Sequence, residues 1–165
     1  AYQTLLEVSR EVQAEGWSFN KEFHYDMTPD SNNEILIANN ILQIDAAKNA
    51  ANSHMDVIRR SGKLYDKANH TYTFTKKVSC DITWLFDWID LPTPIADFIT
   101  TKAAVIVQSR IVGDQSQYQM LQQREQSARA VAMEYECNQG DYTFFGHPGE
   151  TNNYNSYKPY NALYR

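Results

Sequence analysis

The stretch VSCDITWLFDW, residues 78–88, has the clearest periodicity in the chain. Apolar side chains fill every second position, and the positions between them are mostly polar. The apolar set is Val78, Cys80, Ile82, Trp84, Phe86 and Trp88. Alternation with period two is typical of an antiparallel strand with one buried face. The stretch therefore predicts one long, aromatic strand, which the Leu91-Pro92 pair ends.

Shorter extended segments precede this strand. Aromatic residues alternate with polar ones between residues 17 and 29, which predicts extended structure there. The sequence VIRRSGKLYD, residues 57–66, predicts two strands joined by a tight turn at Ser61-Gly62. Between them, two short apolar runs flank Asn39-Asn40, which is either a turn or the middle of a strand.

Helical patterns lie on both sides of the strands. Leu5, Val8 and Val12 share one face of a first helix, and Gly16 is suited to end it. Thr93-Pro94 begins a second helix as N-cap and first turn. That helix is apolar on two sides, with Ile95, Phe98, Ile99, Ala103 and Ile106 on one and Val105, Val107, Ile111 and Val112 on the other. Such a helix is either central in a bundle or in contact with another subunit.

A third helix is predicted between an Asp114–Gln117 capping box and Gly140. Its first half is rich in glutamine, and its second half is small and apolar. The glutamines are Gln115, Gln117, Gln119, Gln122, Gln123 and Gln126. They form either a solvated outer face or the neutral lining of a channel.

The segregation of strands and helices predicts an α+β fold. We expect an antiparallel helical bundle from residues 1–16 and 93–140, a β-rich insertion at 17–92 and an extended C-terminal arm at 141–165. The chain begins without Met and already in helical phase. We therefore expect a further helix before the one that opens it.

Composition narrows the class of protein. The chain has 165 residues, typical of one domain, and a formal net charge of −5. The negative charge argues against tight duplex-DNA binding, which needs Lys and Arg to replace phosphate counterions. There is no apolar run long enough for a membrane span and no signal-peptide pattern. Cys80 and Cys137 have no metal-ligand spacing and are interpreted as reduced packing residues rather than a disulfide.

Residues typical of catalysis do not form a motif. Glu134 and Glu136 lie two positions apart on a predicted helix, so they point to different faces and cannot share a substrate. The sequence contains no nucleophile elbow, no zinc-protease motif and no Gly-rich phosphate loop. We predict no catalytic, metal or cofactor site. The aromatic stripe at 78–88 is interpreted as core, with a sugar-binding platform as the alternative.

Four segments, taken together, resemble one family. They are VQAEGWSFN (12–20), SGKLYD (61–66), ITTKAAVIVQSRIVG (99–113) and ARAVAMEYECNQGDY (128–142). In this order and spacing they resemble the tail tubular protein A family, the head-to-tail adaptors or gatekeepers of short-tailed bacteriophages. GWSFN and AMEYE are the most specific pieces. No family motif matches the segment after Pro148.

The resemblance implies a structural virion protein and no enzyme. Family members form a dodecameric ring below the portal, and the nozzle of tail tubular protein B lies below that ring. Tail fibres attach where adaptor and nozzle meet, and DNA passes through the central channel without sequence-specific binding. The implied location is the virion tail, after assembly in the host bacterial cytoplasm. The alternative function is a tail-associated glycan or peptidoglycan hydrolase.

The C-terminal stretch NNYNSYKPYNALYR, residues 152–165, is polar and irregular but rich in aromatics. Such a segment cannot bury four aromatic rings against itself. Tyrosine suits interfaces because it adds a large apolar area and keeps its hydroxyl group hydrogen-bonded. We therefore predict an interface arm; the alternative is a flexible terminus. The predicted interface residues are Tyr154, Tyr157, Tyr160 and Tyr164.

Overall fold

A computed structural model describes residues 1–47, 55–111 and 113–140. Within these residues, every strand lies between the first and second helices, and the fold is mixed α+β as predicted. The helices are α1 (Tyr2–Ala14), α2 (Thr93–Ile111) and α3 (Gln115–Gly140). The strands are β1 (Lys21–Met27), β2 (Ile41–Ala46), β3 (Val57–Arg60), β4 (Lys63–Asp66) and β5 (Val78–Trp84).

The strands form two antiparallel sheets. One has the order β1-β5-β2, and the other is the hairpin β3-β4. Asn39-Asn40 forms a turn before β2. At the tip of the hairpin, Ser61 and Gly62 have φ values of 53° and 74°, so both central residues are left-handed, as a two-residue hairpin turn requires. The predicted hairpin is confirmed.

The predicted long strand at 78–88 is too long. β5 ends at Trp84, Phe86 is partly buried, and a single 3₁₀ turn follows at Trp88–Asp90. The chain leaves the sheet because the backbone of Phe86 pairs with the side chain of Gln13 on α1 instead of a neighbouring strand. The aromatic stripe is therefore not all core: the side chain of Trp88 is 47% exposed.

The predicted extended segment at 17–29 is wrong in its first four residues. Residues 18–20 form a turn, in which the amide of Asn20 donates to the carbonyl of Trp17. Extended structure begins only at β1. The alternation of Trp17 and Phe19 that suggested a strand arises because Trp17 is buried beneath the turn, in the core shared with α1 and α2.

β1 is an irregular edge strand. Six of its seven residues are exposed, and its register with β5 shifts between Glu22 and Tyr25. His24 lies in this shift with φ of 58°, and its amide donates to the carboxylate of Asp81 at 3.0 Å. The backbone of β1 is thus bent where a regular ladder would otherwise continue.

The helices bury the predicted faces against one another. One core cluster joins all three helices: Val8, Val12, Trp17, Leu91, Ile95, Phe98, Ile99, Ala103, Ala128 and Ala132. α2 and α3 are antiparallel, since Gln108 meets Gln117 near their connection and Phe98 meets Arg129 further along. Phe98 is 0% exposed at the centre of this cluster.

The second predicted apolar side of α2 is buried at Val105 but exposed at Ile111. On the second side, Val105 is 8% exposed, whereas Ile111 is 72% exposed. Val112 lies outside the described residues. Because α2 contacts both α1 and α3, its first side is explained by the central position within this chain.

The predicted capping box of α3 is confirmed for Asp114 but not for the side chain of Gln117. The carboxylate of Asp114 accepts hydrogen bonds from the amides of Ser116 and Gln117 at 2.8 and 3.4 Å. The side chain of Gln117 accepts a hydrogen bond from Gln108 of α2. Gln117 therefore contributes to the α2–α3 contact.

The two thiols differ in environment, which corrects the interpretation that both are packing residues. Both cysteines are free, but Cys80 is buried in a second hydrophobic cluster, which is formed by side chains of both sheets and of the segments that connect their strands, whereas Cys137 is exposed on α3. Burial raises the pKa of the Cys80 thiol to about 12.

Because thiolates are the reactive form, we expect native protein to react with one equivalent of a thiol reagent and urea-unfolded protein with two. Titration of a Cys137→Ser variant checks the assignment; rapid native reaction of that variant would contradict it.

Asp66 links the stability of the β hairpin to pH. Burial raises its pKa, but hydrogen bonds from Asn69 and from the amides of Asp56 and Ala68 outweigh burial, so the pKa lies below 3.8. A carboxylate with a lowered folded-state pKa stabilises the fold above its unfolded pKa, and this contribution is lost as pH falls through the folded pKa. We expect Asp66→Asn to flatten the acid limb of the stability curve, measured by urea unfolding between pH 6 and 2, and Asp97→Asn on an exposed helix face to leave it unchanged.

Candidate functional site

The four tyrosines predicted to form an interface, Tyr154, Tyr157, Tyr160 and Tyr164, lie outside the described residues. Within the described residues, no cluster of three or more His, Cys, Asp or Glu side chains could hold a metal ion. The most distinctive polar arrangement there is a hydrogen-bonded network where the helices meet the sheet. We call this network the junction; its side chains are Gln13, Trp17, Ser18, Asn20 and Glu136.

The junction begins where α1 ends. Gly16 has a φ of 76°, and a Cβ atom there would lie 2.5 Å from Cε of Lys21. Glycine is favoured by the left-handed backbone conformation, whereas the end of the flexible Lys21 side chain could move away from a Cβ atom. The reversal places Trp17 beneath the end of the helix, where its indole Nε1 donates to the carbonyl of Val12 at 2.7 Å. Trp17 is 3% exposed.

Asn20 is the centre of the junction. Its side chain is 1% exposed and makes three hydrogen bonds, all to the backbone. Nδ2 donates to the carbonyls of Gln13 in α1 and Trp84 in β5 at 2.9 and 2.8 Å. Oδ1 accepts from the amide of Trp17 at 2.8 Å. One amide group thus joins the end of a helix, a tight turn and the end of a strand.

Gln13 continues the network toward the segment that connects β5 to α2. Its side chain is 0% exposed. Nε2 donates to the hydroxyl of Ser9 and to the carbonyl of Phe86, each at 3.1 Å, and Oε1 accepts from the amide of Phe86 at 2.8 Å. The amide side chain pairs with both the N–H and the C=O of one residue, Phe86, much as a neighbouring strand would.

Glu136 brings α3 into the junction. Its carboxylate is close to Ser18, with the backbone amide at 2.9 Å from Oε2 and 3.0 Å from Oε1, and the hydroxyl at 2.9 Å from Oε2. Glu136 is 8% exposed, whereas Glu134 lies on the exposed side of the helix. The two carboxylates point to different faces, as the helical spacing predicted. Hydrogen bonds to a buried carboxylate are stronger than those between neutral groups.

The junction suits a structural role. It joins α1, α3 and β5 through groups that are all hydrogen-bonded, and no buried side-chain nitrogen or oxygen of the described residues lacks a partner. A fully satisfied buried network favours one arrangement over others, because any rearrangement would leave polar groups unpaired. We infer that it fixes the angle between the helices and the strands.

The sequence pattern predicts no structural role for Gln13, Ser18, Asn20 or Glu136. A signal was nevertheless present: GWSFN contains Ser18 and Asn20, and AMEYE ends in Glu136. The two segments that carry the resemblance most specifically are the two that meet at the Ser18–Glu136 contact. Residues separated by 118 positions cannot be paired from local pattern alone.

Comparison with known proteins supports the resemblance. A family model described as tail tubular protein matches residues 1–142 of the 165-residue chain. No curated protein matches the chain. No helix within the described residues is long and apolar enough to cross a membrane. The match covers all the described helices and strands and the whole junction, and by it the chain belongs to the tail tubular protein family, whose members are structural components of bacteriophage tails.

Proposed function

We propose that this protein is the adaptor that joins the portal to the tail nozzle and forms part of the DNA ejection channel. The family match over residues 1–142 is the observation that carries the proposal. Following the resemblance, copies assemble as a dodecameric ring that contacts the portal above and tail tubular protein B below. Tail fibres attach beside the nozzle, and assembly takes place in the host cytoplasm before the ring becomes part of the virion.

We further propose that the chain consists of three structural parts. Residues 1–16 and 93–140 form the helical bundle of the adaptor, 17–92 form its β-rich insertion, and 141–165 form an extended arm. Two separate hydrophobic clusters support the division: one joins the three helices and also includes Trp17 and Leu91 from the ends of the insertion, and the other lies within the insertion. The junction would hold the insertion at a constant angle in every copy, which a symmetric ring requires.

The negative charge fits a channel that DNA traverses without being retained. At −5 per copy, twelve copies carry a formal charge of about −60, which repels phosphate groups. The glutamines in the first half of α3 are mostly exposed and carry no charge.

The proposal is tested by combining purified protein with purified portal particles and imaging the product by electron microscopy. A twelve-fold ring seated on the portal is expected. Absence of a ring at all concentrations, with and without portal, would refute the adaptor function. Turnover of peptidoglycan or polysaccharide by the purified protein, abolished by Asp or Glu substitutions, would support the hydrolase alternative instead.

The tyrosine-rich arm yields a separate prediction. Removal of residues 151–165 is expected to leave a folded protein that forms rings, or docks to portal, roughly tenfold more weakly, because aromatic side chains dominate many interfaces. Sedimentation and portal binding measure this effect. A variant with all four tyrosines changed to serine keeps the length of the arm and serves as the matched control for chain length. Unchanged assembly of both variants would exclude the arm as an interface.

A further inference from the structure

The turn at residues 87–90 is an exposed apolar surface between two carboxylates. Ile89 is 89% exposed and Trp88 is 47% exposed. Asp87 and Asp90 flank them, and both are exposed. Neither carboxylate makes a hydrogen bond or ion pair to another described residue. An Ile side chain held almost entirely in water at the tip of a turn contributes little to the fold of its own chain.

The outer face of the β3-β4 hairpin has the opposite character. The guanidinium of Arg60 lies 4.3 Å from the centre of the Tyr65 ring, and the Tyr65 and Tyr72 ring centres are 4.7 Å apart. Leu36, which is 63% exposed, forms an isolated antiparallel β-bridge with Lys63, and Lys63 is the cross-strand partner of Arg60. We call this set, Leu36, Arg60, Tyr65 and Tyr72, the hairpin face.

Arg60 is the cation of the hairpin face that is free to meet an acidic partner. The neighbouring Lys63 is paired with Glu34 at 2.6 Å. Arg59, on the other side of the strand, donates to Asn39 and to the carbonyl of Ile41. Arg60 makes no ion pair with any described residue and is exposed. Arg, Tyr and Trp are the residue types that dominate protein interfaces.

The two surfaces are complementary. The 87–90 turn offers a bulky apolar tip with negative charge on both sides. The hairpin face offers aromatic and aliphatic surface with the cation Arg60, which lies beside the Lys63–Glu34 ion pair. In one copy, no hydrogen bond or ion pair joins them among the described residues. Two different, complementary surfaces on one chain are what a head-to-tail contact uses, and head-to-tail contacts form a ring when the rotation between neighbours closes.

We propose that the 87–90 turn of one copy docks on the hairpin face of the next copy. Ile89 and Trp88 pack on Tyr65, Tyr72 and Leu36, while Asp87 or Asp90 pairs with Arg60. This inference rests on the proposed ring and assigns it a specific contact between neighbours. The partner is therefore a second copy of this chain.

Charge reversal tests the contact in the full-length protein. Asp90→Arg together with Asp87→Arg, and separately Arg60→Glu, are each expected to weaken ring formation at least tenfold, because like charges then face one another. Combining all three reversals is expected to restore assembly. Lys76→Glu, also an exposed cation without a described partner, is the matched control and is expected to assemble normally. Circular dichroism and thermal unfolding confirm that each variant is folded.

The outcomes separate the contact from the ring itself. Recovery of assembly in the triple variant supports the contact. Normal assembly of both reversal variants overturns the contact and leaves the adaptor function intact. A loss of nozzle binding by these variants without loss of the ring has the same meaning. If wild-type protein forms no ring with or without portal particles, the adaptor function and this inference are both overturned. Ile89→Ser, which removes the apolar tip without changing charge, is expected to weaken assembly as well.

Discussion

Replacement of Asn20 by alanine is expected to lower the free energy of unfolding by about 4 kcal/mol, because the change removes three hydrogen bonds to buried backbone groups. The amide of Trp17 and the carbonyl of Trp84 lose their bond to Asn20, and the carbonyl of Gln13 keeps only the bond from the amide of Gly16. Each unpaired buried polar group costs about 1–3 kcal/mol, and the small cavity adds to the loss. Urea unfolding followed by tryptophan fluorescence measures the change.

The matched control for Asn20 is Asn138→Ala. Asn138 is exposed on α3 and its side chain makes no hydrogen bond to a described residue, so its replacement is expected to change stability by less than about 0.5 kcal/mol. Asn20→Asp is a second test, since it keeps the shape and the acceptor but removes the two donated hydrogen bonds. A loss below about 1 kcal/mol for Asn20→Ala would show that the junction is not the structural centre described above.

Replacement of Glu136 by alanine has the second-largest expected effect, a loss of about 3 kcal/mol. The carboxylate is buried and accepts from both the amide and the hydroxyl of Ser18, and hydrogen bonds to charged acceptors contribute about 1.5–3 kcal/mol each. The exposed neighbour supplies the control: Glu134→Ala removes the same charge from the same helix and is expected to be nearly neutral.

A double-mutant cycle distinguishes a direct contact from a general effect on α3. Ser18→Ala removes the hydroxyl but not the amide, so it should cost about 1 kcal/mol alone and less in the presence of Glu136→Ala. Hydrogen exchange of the Ser18 amide should accelerate in the Glu136→Ala variant. Additive energies with unchanged exchange would contradict the assigned contact.

Strong periodicity made the elements predictable, and local capping chemistry made several of their ends predictable. The β hairpin with Ser61-Gly62 and the end of α1 at Gly16 followed from turn and cap preferences that act within a few residues. The length of β5 could not be predicted in this way. Phe86 continues the alternation in the sequence, but its backbone is hydrogen-bonded to the side chain of Gln13 on α1 rather than to a strand. A tertiary hydrogen bond of this kind overrides local pattern without leaving a local signal.

The junction could be predicted only in part. The spacing of Glu134 and Glu136 showed that they face different ways, but not that one of them binds Ser18. Gln13 falls within an ordinary amphipathic helix and resembles a surface residue, although it is fully buried. Polar residues that become buried through distant partners do not differ in type from solvated ones, so position in the fold, rather than residue type, determines their role.

The bend in β1 affects how copies of this chain can meet. A straight outer strand would present a row of open peptide groups on which any other extended segment could add, without control of number or orientation. The shift between Glu22 and Tyr25, and the turning of the His24 amide toward Asp81, interrupt that row. Uncontrolled growth into fibres is thereby disfavoured, and newly made copies are left to meet through side chains, whose shape and charge limit both the geometry and the number of neighbours.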